Sequence, residues 1–213
     1  RYPIPRGRSL VLYLRMWGES SDEPVQEYAK GIVPTVTGAI WTSRGRSFDG
    51  VDDMIDCGNA ASLQVVTTFT ILAWIKPDIT TLQCIVAKDD GTNRNFILEV
   101  SAAGATFELA VWKAGASTTV TSSSTLTAGT WYLVGARFDS GQLQLYLNGA
   151  IDGAAVGVAA PIDNDPVNLT LGLRPVVLDR DFDGVMGEVW LYNRALTLAE
   201  ILHNYNATKW RYV

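Results

Sequence analysis

Histidine occurs once and cysteine twice in this 213-residue chain. Two cysteines cannot build a metal site by themselves, and Cys57 and Cys84 do not make the dense framework of a small secreted domain. Their spacing suits neighbouring strands. A bridge requires side chains that face each other, which sequence alone leaves open. His203 lies beside Asn204 near the C-terminus and reads as a surface helix residue, so a serine or cysteine nucleophile with a histidine base has little support. No run of about 18 apolar residues occurs, which excludes a membrane-spanning helix. Charged residues make up only 18% and the net charge is −5; without a basic face, no nucleic-acid partner is expected. Arg1, Arg6 and Arg8 form the one basic cluster, read as a solvated or docking arm over residues 1–8. The first residue is arginine, so the chain is expected to be a processed or excised piece of something longer.

What the chain does have is an apolar content of 47% with 19 glycines, arranged as short alternating segments separated by turn signals every eight to twelve residues, an all-β pattern. Strands are expected at 9–14, 53–57, 69–76, 83–88, 95–100, 106–113, 117–123, 131–139, 142–148, 168–173 and 185–192. Tyr132, Val134, Ala136 and Phe138 alternate onto one face, as do Leu143, Leu145 and Leu147, and the turns Asp139-Ser140-Gly141 and Asn148-Gly149 make this region a three-strand meander. Thr197-Leu198-Ala199-Glu200 is a capping box opening a short helix. Leu198, Ile201, Leu202 and Tyr205 share one face of it. Such a chain closes as a two-sheet sandwich or a barrel. The sandwich fits better, because Leu72 and Trp74 oppose Ile71, Ala73 and Ile75 on one strand, so both faces of a sheet need cover. The whole of residues 9–213 is read as one domain.

Six stretches carry a family resemblance: LVLYL from Leu10, SFDGVDDMIDCG from Ser47, FTILAWIKP from Phe69, TWYLVGARFD from Thr130, LQLYLNGAIDG from Leu143 and FDGVMGEVWLYNRALTLAEI from Phe182. In this order they resemble the laminin-G-like and pentraxin-type jelly-roll domains of the concanavalin A-like lectin/glucanase superfamily. The ending EILHNYNATKWRY, from Glu200, resembles endings of such domains in structural proteins of tailed bacteriophages. The resemblance implies an all-β, two-sheet antiparallel jelly-roll sandwich with a short C-terminal helix. It does not by itself fix an activity.

Catalytic members of the superfamily place paired carboxylates on one strand as Glu-x-Asp-x-x-Glu, since glycoside hydrolysis needs two carboxyl groups flanking the bond. This chain has no such motif. Glu108 stands between Phe107 and Leu109 without a visible partner, and no enzyme is expected. Acid is concentrated at Asp49, Asp52, Asp53 and Asp56, at Asp89 and Asp90 with Asn93 and Asn95, and at Asp179, Asp181 and Asp183. Asp49-Gly50 and Asp52-Asp53 are read as a turn whose carboxylates accept backbone N–H groups. The family's structural calcium would implicate Asp49 and the last strand, where Gly187 stands at the position of the expected aspartate. Glu188 is the candidate substitute, although strict alternation turns it to the opposite face. A calcium ion is therefore a possible cofactor, with Asp49 and Glu188 as metal candidates. A pentraxin-like ligand site would join Asp89, Asp90, Asn93 and Asn95 to Asp179 and Asp181. Trp74, Trp112, Tyr146 and Trp190 are candidate sugar-stacking rings, Trp112 first among them.

The expected function is a non-catalytic recognition or adhesion module, glycan-binding, on an extracellular or virion surface. The alternative is a structural decoration or assembly domain of a capsid or fibre whose partner is another protein subunit in an oligomer.

Overall fold

The computed structural model describes residues 8–18, 25–102, 104–175 and 180–213. The arm expected at residues 1–8 lies, but for Arg8, outside the described residues, as does Asp179. The strands are β1 (Leu10–Arg15), β2 (Gln26–Glu27), β3 (Thr35–Thr37), β4 (Ile40–Thr42), β5 (Gly45–Asp49), β6 (Met54–Asp56), β7 (Thr68–Pro77), β8 (Gln83–Asp89), β9 (Arg94–Val100), β10 (Phe107–Lys113), β11 (Ala116–Thr121), β12 (Tyr132–Asp139), β13 (Gln142–Leu147), β14 (Ala150–Gly157), β15 (Thr170–Leu171) and β16 (Asp183–Tyr192). One helix, α1 (Leu198–Thr208), follows. All pairings are antiparallel.

Two sheets face each other. One is nine-stranded, with the path β14-β13-β12-β7-β16-β1-β2 and β5 and β4 added beside β16; the other is seven-stranded, in the order β11-β10-β9-β8-β15-β6-β3. The expected sandwich with its terminal helix is what forms. The meander is present as β12-β13-β14, closed by Asn148 (φ 51°) and Gly149 (φ 85°), the left-handed pair that a tight primed turn requires. The strands β2 to β5 fall outside the expected list, because they are too short to show alternation. The segment expected as a strand at 168–173 shrinks to Thr170–Leu171, since Gly172 turns away at φ 94° where a Cβ would lie 2.5 Å from the Phe48 ring.

The two-sided bulk of β7 explains how the layers stack. Phe69, Ile71, Ala73 and Ile75 enter the core between the sheets with Phe96, Leu98, Phe107, Leu109 and Phe138. Leu72 and Trp74 leave by the other face and join Tyr13, Trp131, Trp190, Tyr192, Ile201 and Tyr212 in a second apolar layer. Helix α1 covers that layer. An isolated helix of this length is marginal in water, so its stability comes from the capping box at Thr197 and Glu200 and from packing. It is pinned to the sheet by Trp74 Nε1, which donates to Thr208 Oγ1 at 2.8 Å, and by Asn204 Nδ2, which donates to the Tyr192 hydroxyl at 3.1 Å.

Cys57 and Cys84 remain free and buried. Cys57 belongs to the core between the sheets and Cys84 to a small outer cluster with Ala87, Ile97, Ala110 and Trp112, so the two thiols face opposite sides of the seven-stranded sheet.

Candidate functional site

A cleft of about 310 Å³ opens at one end of the seven-stranded sheet, lined by Gly91, Thr92, Arg94, Trp112, Gly115, Asp163 and Asp165. Three segments build it. The β8–β9 turn is folded by its own acids: Asp90 Oδ1 accepts the N–H groups of Thr92 (2.9 Å) and Asn93 (2.7 Å), and Asp90 Oδ2 accepts from Asn93 Nδ2. The β10–β11 turn passes through Ala114 (φ 51°) and Gly115 (φ 76°). Their N–H groups donate to the two carboxylate oxygens of Asp163, at 2.8 and 3.0 Å. The third wall is the loop after β14, tied to β9 by reciprocal bonds: Asp165 N–H donates to Asn95 Oδ1 at 2.7 Å, and Asn95 Nδ2 donates to the Asp165 carbonyl at 3.0 Å.

Trp112 backs the cleft, 9% exposed, with the Arg94 guanidinium 5.4 Å from its ring centroid. Arg94 Nε and Nη2 both donate to the Gly91 carbonyl. Beneath it, fully buried Asp89 accepts from the Gly91 N–H at 2.6 Å and lies 3.8 Å from Arg94 Nε and 3.6 Å from Arg174 Nη1. Burial pushes the Asp89 carboxyl up, against the Gly91 N–H and the two arginines, which pull it down.

Of the expected ligand residues, the structure thus gathers Asp89, Asp90, Asn93, Asn95 and Trp112 at one rim, although of these Trp112 alone lines the cleft, Asp90 and Asn93 bond to each other within the turn, and Asp89 and Asn95 are buried supports. Asp181 does not join them. Its neighbour Arg180 accepts the Cys84 N–H through its carbonyl, at the far end of β8 from Asp89. Trp74, Tyr146 and Trp190 are buried beneath the α1 side of the molecule, so sugar stacking on them is ruled out in this fold. Sequence reasoning missed Arg94, Asp163 and Asp165. The stretch Pro161-Ile162-Asp163-Asn164-Asp165-Pro166 carried a signal, two aspartates held in a loop by flanking prolines.

Glu108 is not alone. Register places Glu99 of β9 directly across from Glu108 of β10 on the outer face of the sheet. Glu99 is 2% exposed and ion-paired to Arg180, while Glu108 takes a long bond from Thr121 Oγ1. Burial raises the Glu99 carboxyl to about 7, Arg180 opposes the rise and Glu108 adds to it. Glu108 and Trp112 share one face of β10 four residues apart, about 13 Å along the strand.

The metal candidates do not meet. Asp49 lies opposite Asp183 at the start of β16, and Glu188 lies five residues further on, about 16 Å along the strand. Asp49, Asp52 and Asp53 bring carboxylate oxygens within 4.8 Å of one another, and two of the three also hold the turn. Asp53 Oδ2 accepts the Asp49 N–H at 2.9 Å, and Asp49 Oδ1 accepts the Val51 N–H at 3.0 Å. On β16 strict alternation fails. Pairing with β7 slips between Met186 and Val189, a bulge that turns Gly187 and Glu188 toward the same C-terminal segment. A Cβ at Gly187 would lie 2.5 Å from the Tyr212 hydroxyl oxygen, and Glu188 accepts from Arg211 Nη1 (2.6 Å), Tyr13 (2.6 Å) and Tyr212 (3.3 Å). Arg211 also lies over the Trp17 ring at 3.6 Å. A guanidinium and a phenol fill the space that a calcium ion and its aspartate would need, so the residues at Gly187 do not fit calcium. Adding a calcium chelator is expected to leave the melting temperature unchanged in differential scanning fluorimetry, because an ion bound only to the folded state would raise it by mass action.

The laminin-G-like family model described as concanavalin A-like lectin/glucanases superfamily matches residues 49–202. The chain belongs to this superfamily. No curated protein matches it in sequence. Among solved structures, the superfamily fold recurs in the botulinum neurotoxin serotype D ligand-binding domain in complex with N-acetylneuraminic acid, at TM-score 0.72 and 12% identity over 94% of this chain and 51% of that one. It recurs in Trypanosoma rangeli sialidase in complex with sialic acid, at TM-score 0.72 and 17% identity over 99% of this chain and 34% of that one. The binding domain of Paraclostridial Mosquitocidal Protein 1 gives 0.68 and 14%, over 93% and 52%. The chain therefore spans about half the length of the toxin binding domains and a third of the sialidase. Nothing in these superfamily structures supports a phage origin.

Proposed function

We propose that this domain is a non-catalytic recognition module that binds glycan in the cleft between the β8–β9 turn, the β10–β11 turn and the 158–167 loop, as part of an extracellular or surface-exposed protein. The observation that carries the reading is convergence. Three loops fixed by side-chain-to-backbone hydrogen bonds present a tryptophan, a guanidinium and two carboxylates to one concave opening. Pre-formed clefts with an aromatic floor and a few fixed polar groups suit sugars, which offer an apolar ring face and directed hydroxyls. The toxin and sialidase chains named above, each solved with a sialic acid, lend support at the level of the fold.

Catalysis is a poorer use of these residues. The opposed carboxyl pair Glu99 and Glu108 has Glu99 buried against Arg180, about 13 Å from Trp112 along the sheet. A glycosidase instead needs two reachable carboxyl groups on either side of the bond. No helix of the described residues is long and apolar enough to cross a membrane.

A second reading, a structural or assembly domain with a protein partner, draws on Leu198 and Leu202, exposed one turn apart on α1. Light scattering across a concentration series separates the two, since an assembly domain self-associates or captures a subunit without sugar.

Screening on a glycan array followed by calorimetry tests the first reading. Trp112→Ala is expected to weaken the selected glycan at least about tenfold, the usual weight of a central aromatic contact, with folding checked by circular dichroism. Unchanged affinity in that variant would place the ligand elsewhere.

A further inference from the structure

The charges around the cleft are distributed unequally, and this bears on which sugars it accepts. Three charged side chains line it: Arg94, Asp163 and Asp165. The arginine is already engaged. Its Nε and Nη2 both donate to the Gly91 carbonyl, its Cζ lies over the Trp112 ring at 5.4 Å from the centroid, and the buried Asp89 carboxylate sits 3.8 Å from Nε. The aspartates are engaged differently. Each Asp163 oxygen accepts one backbone N–H, from Ala114 and Gly115, and Asp165 Oδ2 accepts one, from Arg94. An ionised carboxylate has about four acceptor sites, so each retains lone pairs for further donors. Arg94 keeps about three of its five N–H donors against about five free acceptor sites on the two aspartates, so the opening offers acceptors in excess of donors and two negative charges against one positive.

Resting on the glycan-binding reading above, we infer that the cleft selects neutral, hydroxyl-rich sugars and excludes sugars that carry a carboxylate, with Asp163 and Asp165 as the residues that set the selection. Hydroxyl groups donate to the two aspartates. A sugar carboxylate has no proton to donate and meets two like charges in a cleft whose lining, among the described residues, sets one cation against two acids, and such a juxtaposition disfavours a ligand of like charge. The N-acetylneuraminic acid held by the toxin domain therefore does not transfer to this cleft.

The test is an array presenting each oligosaccharide in neutral and sialylated form, followed by calorimetry on the best pair at two salt concentrations. The wild-type domain is expected to hold the neutral form at least about tenfold more tightly, with the gap narrowing as salt rises. The Asp165→Asn variant, which keeps an acceptor for the Arg94 N–H, is expected to narrow the gap at constant salt. Preference for the sialylated form, or equal binding of the two, overturns the inference and leaves the glycan reading intact. Failure of every neutral and sialylated glycan to bind overturns the glycan reading, and the inference with it. The wild-type comparison stands even if the variant fails to fold.

Discussion

Replacing Arg211 with methionine is expected to destabilise the domain by about 3–5 kcal/mol, the range for removing one partner of a buried ion pair. For a chain of this size that corresponds to a fall of about 10 °C in melting temperature. Glu188 is 1% exposed and accepts from the Arg211 guanidinium and from the hydroxyls of Tyr13 and Tyr212. Burial raises the Glu188 carboxyl while Arg211 and the two tyrosines hold it down, so losing the arginine leaves a carboxyl that must take up a proton or sit uncompensated. The double variant Glu188→Gln with Arg211→Met is expected to lose less than the single Arg211→Met, because the stranded charge is gone. Melting curves for the three proteins decide it. A single-variant loss under 1 kcal/mol would show that the C-terminal segment does not anchor the α1 layer.

The second large effect is a pH dependence. Glu99 has its folded-state pKa raised to about 7 from 4.5, chiefly by burial. A raised folded pKa means that the protonated form is favoured by folding. Its contribution is fully present below about pH 4.5 and is lost as pH climbs through about 7, a difference of about 3 kcal/mol. Glu99→Gln keeps the hydrogen-bonding shape without the titration. The stability of wild type minus that of Glu99→Gln, measured by urea unfolding from pH 4.5 to 8, is expected to fall across this window. Glu108→Gln removes the facing like charge and is expected to move the fall to lower pH. A flat difference would mean that Arg180 keeps Glu99 ionised throughout.

How much of this was readable in the residues follows from what each feature depends on. The sandwich was legible because alternation on long strands such as β7 and β12 is a local property, as are the capping box and the Asn148-Gly149 turn. The polar cluster Asp90 and Asn93 was legible as a candidate site because it is contiguous in sequence. The Glu99–Glu108 pair was not, since it depends on the register of two strands across a loop, which no local pattern fixes. The cleft's third wall was not either: Asp163 and Asp165 reach Gly115 and Arg94 only after a loop closes over the sheet edge. The bulge at Gly187 inverted the expected direction of Glu188, because one inserted residue reverses the parity of all that follow. Where calcium was expected, the chain supplies its own cation from 24 residues downstream of Gly187, Arg211 beside Tyr212, and only the fold brings them together.

Backbone amide chemical-shift mapping locates the ligand most directly. Titrating the labelled domain with the neutral oligosaccharide selected on the array is expected to shift residues 90–94, 112–115 and 163–165 and to leave the groove lined by Lys30, Ile32, Asp56 and Asn59 unmoved. Shifts confined to that second groove, or to the exposed face of α1, would contradict glycan recognition by the three-loop cleft.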